Sequence, residues 1–363
     1  MNKLVVSVSP HIRKDISVTK IMWIVTAALV PAYAYTVYTF GVRTVWVTLA
    51  AILGAVVAEA GMQYLMKRKI TVSDGSAILT ALLMVYNVPQ EIALWKVALG
   101  SFFAIAVAKQ LFGGLGYNIF NPALIGRAFL MASYPASMTS GWAPPHGNGA
   151  LSLAKEAAQA CLQPNAPVEA QKLVDAVSSA TPLGALKAAR VAADNPEIRE
   201  TAVNLWDALM SPDMIKEAFM GNIGGCFGET TALFLLIGGL FLIFLKIVDW
   251  RVPTGYLGTV ALLAWAFGGH NGLFSGVPLF HLVTGGLMLG AFFMATDMVT
   301  SPLTRKGKWI FAIFLGILTF VIRTWGGYPE GVSYSILIMN MFVPLIDRFT
   351  VPKVFGSVKE AKA

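Results

Sequence analysis

The chain has 363 residues, of which 56% are hydrophobic and only 13% charged, with a mean hydropathy of +0.67. A soluble protein carries about 25% charged residues, so a self-contained water-soluble fold is excluded: burying this much apolar surface would leave too little polar surface to face water. A bilayer supplies the missing apolar solvent. The net charge of +8 is explained by membrane topology, and no nucleic-acid partner is expected.

Residues 1–20 are polar and hold His11, Arg13, Lys14 and Asp15, so no cleavable signal peptide is read there and the first apolar run is expected to be retained as a span. Apolar windows then predict spans near 21–41, 44–66, 75–88, 93–112 and 121–135. A polar stretch of about 136–220 follows, rich in Ala, Pro, Asn, Gln and Ser, with helical patches at 151–161 and 183–193. Its apolar content is thin, so it is expected to pack on the membrane part or on partner subunits. Further spans are predicted near 229–248, 252–269, 278–296, 307–325 and 332–349. The fold class is therefore all-α integral membrane, with about ten transmembrane helices and one extracytoplasmic loop subdomain. The corresponding division is 1–20 N-terminal segment, 21–135 first membrane repeat, 136–220 loop, 221–350 second membrane repeat and 351–363 tail.

Most of the 27 Lys and Arg fall on one side if the N-terminus is cytoplasmic, among them Lys67, Arg68, Lys69, Lys109, Arg305 and Lys306. Positive charge in short loops marks the cytoplasmic face. Both termini are then cytoplasmic and the 136–220 loop lies outside.

The two flanking halves look related. The odd number of spans in each inverts the second relative to the first, and the third segment of each is interrupted. The first reads Ser73-Asp74-Gly75-Ser76, an apolar run, then Asn87-Val88-Pro89; the second reads Gly285-Gly286, an apolar run, then Asp297 to Pro302. Short, Gly/Pro-interrupted spans in matching positions mark an inverted repeat with a midplane site.

The chemistry-bearing residues form three groups. The first is Asp175-Ala176-Val177-Ser178-Ser179-Ala180-Thr181-Pro182 in the loop, which on local physics alone is a Ser-rich turn with Ser178 or Thr181 as helix cap and Pro182 at the first helical position. The second runs from Asn118 to Arg127. Asn121 is placed to cap a helix begun by Pro122, and Arg127 lies within a span, where an unpaired charge costs about 2.5–3.5 kcal/mol. The third comprises acids in or beside spans, Glu59, Asp74, Glu229, Asp249, Asp297 and Asp347. Glu59 lies deep in its span and needs a partner or a wet cavity. Asp74 and Asp297 flank the two broken segments, where freed carbonyls plus a carboxylate would suit a hard cation. Asp249 and Asp347 stand next to Arg251 and Arg348 and also read as interfacial charge. Cys161 and Cys226 lack metal-site spacing, and a bridge between them is left open.

The D-x-x-S-S-A-T stretch resembles the flavinylation motif of redox-driven ion pumps. Several other stretches resemble the D subunit of the Rnf ion-translocating ferredoxin:NAD oxidoreductase: Ser9-Pro10-His11, Ala108 to Gly116, Asn118 to Ala123, Leu289 to Phe293, Ala295-Thr296-Asp297, Gly326 to Pro329 and Val343 to Asp347. The likeness runs in order from residue 9 to about 355, and the B subunit of the sodium-pumping NADH:quinone reductase shares much of it. This resemblance implies FMN joined through its phosphate to Thr181 by a flavin transferase, with Asp175, Ser178 and Ser179 in the motif. It also implies a non-covalent riboflavin in the membrane part, with Asn118, Asn121 and Arg127 as binding candidates. The implied activity is electron transfer between ferredoxin and NAD coupled to movement of Na⁺ or H⁺. Glu59, Asp74, Asp249, Asp297 and Asp347 are the ion-path candidates, and no metal site is expected. The implied location is the bacterial inner membrane. The chain carries no iron–sulfur or nucleotide motif, so it depends on iron–sulfur and flavin subunits as partners. Lys187 and Arg190 would offset the charge of a phosphate on Thr181. A channel or secondary transporter on the same inverted fold is the alternative, and the Thr181 motif separates the two.

Overall fold

The computed structural model describes residues 17–140, 142, 181–270, 272–328 and 330–352. Among them the structure is helical throughout, with no strand. The first half contains α1 (Val18–Phe40), α2 (Arg43–Leu65), α3 (Ser76–Val85), α4 (Leu94–Ile105), α5 (Pro122–Ser133) and the short α6 (Pro135–Thr139). Then come α7 (Pro182–Ala192), α8 (Arg199–Leu209) and α9 (Pro212–Met220). The second half contains α10 (Ala232–Phe244), α11 (Arg251–Phe267), α12 (Pro278–Val283), α13 (Leu287–Leu289), α14 (Arg305–Trp325) and α15 (Val332–Thr350).

Every apolar window read from the sequence contains helix. Four helices, α1, α2, α14 and α15, are long and apolar enough to cross a membrane on their own. At 10, 12 and 13 residues, α3, α5 and α10 fall short of the roughly 20 that a bilayer core requires.

The packing is that of a membrane protein. Large apolar side chains face outward, including Leu49, Leu53 and Val57 of α2, Leu240 and Phe244 of α10, and Phe342 and Phe349 of α15. Small and polar residues face inward, including Ala51, Ala55, Thr44 and Thr48 of α2. Helices in lipid gain little from burying hydrocarbon and associate through close backbone approach instead. Gly54 of α2 shows this: a Cβ there would collide with the Ala98 carbonyl of α4. In the second half, Gly316 of α14 is pressed in the same way against Thr259 of α11, with 2.5 Å left for a Cβ.

Both broken segments start on a left-handed glycine. Gly75 (φ 79°) precedes α3, and Gly286 (φ 66°) precedes α13. A π turn, Gly290–Met294, continues α13, and another, Ala106–Gln110, continues α4. Such wide turns place side chains where an α-helix would not and cluster at functional sites.

Helices α7 and α8 share an apolar core with Met214 of α9, built from Leu183, Leu186, Leu205, Trp206 and Leu209 and closed by Phe280 of α12. The loop segment thus packs on the membrane part through Phe280. The patch read at 151–161 lies outside the described residues.

Candidate functional site

Five of the residues singled out from the sequence, Thr181, Arg127, Asn118, Asn121 and Asp297, line two cavities. The first, of about 220 Å³, is lined by Thr181 and Gly184 of α7, Arg127 of α5, Trp142, Tyr328, Glu330 and Tyr334 among others. Thr181 is the N-cap of α7: its backbone is extended, its hydroxyl accepts the Gly184 N–H at 3.2 Å, and Pro182 takes the first helical position. The capping expectation is met. Pro182 has no N–H, and the Gly184 and Ala185 N–H groups go to the Thr181 hydroxyl and carbonyl, so what favours phosphate here is the positive end of the helix. Asp175, Ser178 and Ser179 lie outside the described residues.

Arg127 finds the partner its burial demands. One guanidinium nitrogen donates to Asn87 Oδ1 at 2.9 Å and Ser333 Oγ at 3.0 Å, and the other donates to Glu330. Sequence reasoning misses Glu330, at the start of α15, although an acid directly after Gly326 to Pro329 and a buried arginine needing a counter-charge are both visible there. Behind it, Cys226 Sγ approaches Glu330 at 4.0 Å as a free, buried thiol, and the Glu229 Oε1 atom has no partner among the described residues. Tyr328 and Tyr334 stack with ring centroids 5.1 Å apart.

The residue set of this cavity fits a flavin. It offers an esterifiable hydroxyl at a helix N-terminus, flat aromatic walls and a guanidinium. Its volume lies below the roughly 300–1,000 Å³ of enclosed ligand sites, so a ring system would be only partly enclosed. Lys187 and Arg190 lie on a different stripe of α7 and do not line it.

The second cavity, of about 110 Å³, is lined by Asn118, Asn121, Ser76, Lys109, Phe292, Phe293 and Asp297 among others. Asn121 caps α5, accepting the Ala123 and Leu124 N–H groups at 3.1 and 3.4 Å, as expected from its place before Pro122. Its amide also donates to the Met294 carbonyl of the second π turn at 3.4 Å. Asn118 donates to Phe120 O at 3.1 Å. The two carboxamides and apolar walls suit a flavin ring, but the space is small. A riboflavin here would have to part α1, which contributes Ile21, Met22 and Val25, from the Asn118–Pro122 turn. Arg127 does not line this cavity; it belongs to the first.

The acids divide in two. Glu59 is fully buried and pairs with Lys109 at 2.6 Å, with Gln110 Nε2 at 3.1 Å on the same oxygen and Oε2 unpartnered. The π turn in which Lys109 and Gln110 sit brings both onto one carboxylate. Lys109 also donates to Ser76 Oγ at 2.6 Å, and Ser76 Oγ donates to Asp74 Oδ1 at 2.5 Å. The charge count along the sequence places Lys109 with the cytoplasmic cations; it is buried instead, because Glu59 needs it. Asp297 accepts the Val299 N–H at 3.3 Å and the Thr300 hydroxyl at 3.2 Å. Glu59, Asp74 and Asp297 therefore border or line the second cavity. Asp249 sits apart, held by Arg251 and Lys308 at 3.0 Å each, and Asp347 accepts the Leu303 N–H at 3.0 Å.

The family model for "NQR2, RnfD, RnfE" matches residues 5–356. The chain belongs to this family. Among its relatives, it is 46% identical over 356 residues to the D subunit of the proton-translocating ferredoxin:NAD(+) oxidoreductase complex of Clostridium ljungdahlii, covering 98% of this chain and 97% of that one. It is 43% identical over 363 residues to the D subunit of the Na(+)-translocating ferredoxin:NAD(+) oxidoreductase complex of Acetobacterium woodii, covering 99% and 98%. To the D subunit of the ion-translocating oxidoreductase complex of Stutzerimonas stutzeri it is 40% identical over 342 residues, covering 94% and 92%. Membership and the four long apolar helices make this NQR2, RnfD, RnfE family chain a multi-pass membrane protein.

Proposed function

We propose that the chain is the D-type membrane subunit of an ion-translocating ferredoxin:NAD oxidoreductase and carries FMN esterified to Thr181. The observation that carries the reading is the placement of the Thr181 hydroxyl, at a helix N-terminus, in one cavity with the Arg127–Glu330 pair. Likeness over nearly the whole chain to the D subunits of two ferredoxin:NAD(+) oxidoreductase complexes supports the assignment to a complex. A passive channel or transporter would use the broken segments equally well but gives the Thr181 motif no task.

The remaining parts of the proposal follow from the residue pattern. The membrane part is ten helices in two inverted five-helix repeats, with α3 and α12–α13 as the broken third segments; the tight α2–α4 and α11–α14 contacts, second helix on fourth in each half, support that symmetry. The chain sits in the bacterial inner membrane with cytoplasmic termini and the Thr181 loop outside. A flavin transferase matures it, and iron–sulfur and flavin subunits exchange electrons with it. Riboflavin would be held by Asn118, Asn121 and Phe293 at the second cavity once α1 parts from the Asn118–Pro122 turn.

Bound flavins supply electron transfer, and the protein supplies position and field. On the Thr181 side the Arg127 guanidinium, already paired with Glu330, positions the local field without a net positive charge. On the other side, the Glu59–Lys109–Ser76–Asp74 chain and Asp297 border the riboflavin position, so a charge change there acts on carboxylates that take a Na⁺ or a proton. For a cation to reach Glu59, the Lys109 ammonium must move aside.

The test uses inverted membrane vesicles containing the assembled complex. Reduced ferredoxin plus NAD⁺ should drive NADH formation and ion uptake together, and both should vanish on deletion of this chain and return on its re-expression. Ferredoxin-dependent NAD⁺ reduction and ion uptake that persist without the chain would overturn the assignment. Coupled pumping at normal rates after Glu59→Gln and Asp297→Asn would remove the ion path.

A further inference from the structure

The stripe of α7 that does not face Thr181's cavity covers a separate void, distinct from both cavities above. Leu183, Lys187 and Arg190 line it from α7, Trp206 from α8, His281 from α12 and Arg323 from α14, and its volume is about 20 Å³. Three cations therefore converge on one small space. Arg323 donates to the carbonyls of His281 at 2.6 Å and of Thr284 and Gly285 at 3.0 Å each. Lys187 donates to the Gly326 carbonyl, and Arg190 lies over the rings of Trp206 and Trp325, 5.7 and 5.8 Å from their centroids. Among the described residues, no carboxylate lies within ion-pair distance of any of the three.

Unmet donors surround the same space. Among the described residues, Trp206 Nε1, Arg323 Nε and both ring nitrogens of His281 find no hydrogen-bond partner, and these side chains belong to residues only 4–5% exposed. A buried donor left unmade costs about 1–3 kcal/mol, more when charged. Indole and guanidinium nitrogens can only donate, and a neutral imidazole always carries one N–H. Every missing partner is thus an acceptor, except for one imidazole nitrogen, and the surrounding charge is positive. A single water would answer some of these donors but none of the charge. Burial also pushes the Lys187 ammonium below its ordinary pKa.

We propose that this void binds one small monovalent inorganic anion of the chloride class, held by Trp206, His281 and Arg323 and neutralised by Lys187 and Arg190. The volume admits a single monatomic ion, since one water needs roughly 10–15 Å³ on this scale, and excludes nucleotides and phosphate esters. The ion ties α7 to α12 and α14. Because α7 starts at Thr181, the anion fixes the helix that forms one wall of the first cavity without entering that cavity. The inference stands on these contacts alone and is independent of any flavin at Thr181.

The test is thermal unfolding of the full-length protein in nanodiscs, at constant Na⁺ and ionic strength, with chloride or bromide replacing gluconate. The parent should show a saturable rise in stability with halide, and His281→Phe and Lys187→Gln should each raise the half-saturating concentration at least tenfold. Crystals grown in bromide should show an anomalous peak between Trp206, His281 and Arg323. Equal stability in gluconate and chloride, an unchanged halide dependence in both variants, or density there without a bromide signal would overturn the proposal. Arg323 is avoided as a test site because it also holds the Gly285 turn.

Discussion

Arg127 of α5 and Glu330 at the head of α15 form a buried ion pair across 203 positions of sequence, with Asn87 and Ser333 completing the guanidinium's contacts. The pair joins the two halves of the chain and lies in one wall of the cavity that Thr181 enters. Each side chain is only 11% exposed, so neither charge is well served by solvent. Breaking a buried pair by removing one partner typically costs about 3–5 kcal/mol, whereas replacing both with apolar groups is often close to neutral. Arg127→Met and Glu330→Met are each expected to lower stability by that amount, and the double variant to regain much of it. A double-mutant cycle by denaturant unfolding in detergent checks this; additive losses would show that the pair is not coupled.

The Glu59–Lys109 pair makes a parallel case deeper in the fold. Lys109→Met would leave a fully buried carboxylate with only the amides of Gln110 and Gln63 at 3.1 and 3.3 Å. The expected loss is about 3–5 kcal/mol, and Glu59→Gln in the same chain should restore most of it by removing the orphan charge. Thermal melts of the three variants test the order parent, double variant, Lys109→Met.

Gly285 is a backbone requirement. Its φ of 70° is in the left-handed region, and a Cβ would overlap the Leu183 side chain and come within 2.9 Å of Arg323 Nη2. Gly285→Ala is expected to cost at least about 1–3 kcal/mol from the backbone alone and to loosen α7, seen as faster protease cleavage of the loop segment. A Gly41→Ala variant, also at positive φ but with open space around its Cβ and no α7 atom within 4 Å of it, should leave protease cleavage of the loop segment unchanged.

Asp249, outside the long helices, gives a pH prediction. Burial pushes its carboxyl up, but the Arg251 backbone N–H, Lys308 and the Arg251 guanidinium outweigh that and hold it below its ordinary value. A depressed folded-state pKa adds stability that is complete above the unfolded carboxylate range and lost as pH falls through the folded value. Asp249→Asn should therefore be less stable than the parent at pH 7, with the gap closing below about pH 4. A gap that stays constant from pH 7 to pH 3 would contradict the assignment.

The helices were legible because a bilayer imposes a length and an apolar content on each span, and because Asn121-Pro122 and Thr181-Pro182 carry the chemistry of helix starts. Gly75 and Gly285-Gly286 showed where helices break. What could not be read was side-chain convergence across long sequence separations. Nothing local to Lys109 distinguishes a cation buried against Glu59 from one at the interface, and the fold alone decides it. The same holds for Arg127, which shares a sequence neighbourhood with Asn121 but points, from the far side of a helical turn, into the Thr181 cavity. Asp249 and Asp347 read as ion-path candidates from their place near spans, yet they are engaged by Lys308 and the Leu303 N–H.

The most direct test of the central proposal is ultraviolet fluorescence of the denatured protein in a gel, after expression with an active flavin transferase, beside Thr181→Ala. The account predicts a fluorescent parent band that survives denaturation and a dark Thr181→Ala band at equal protein load. A dark parent, with the transferase active on a control substrate, or a Thr181→Ala band as bright as the parent, would contradict it.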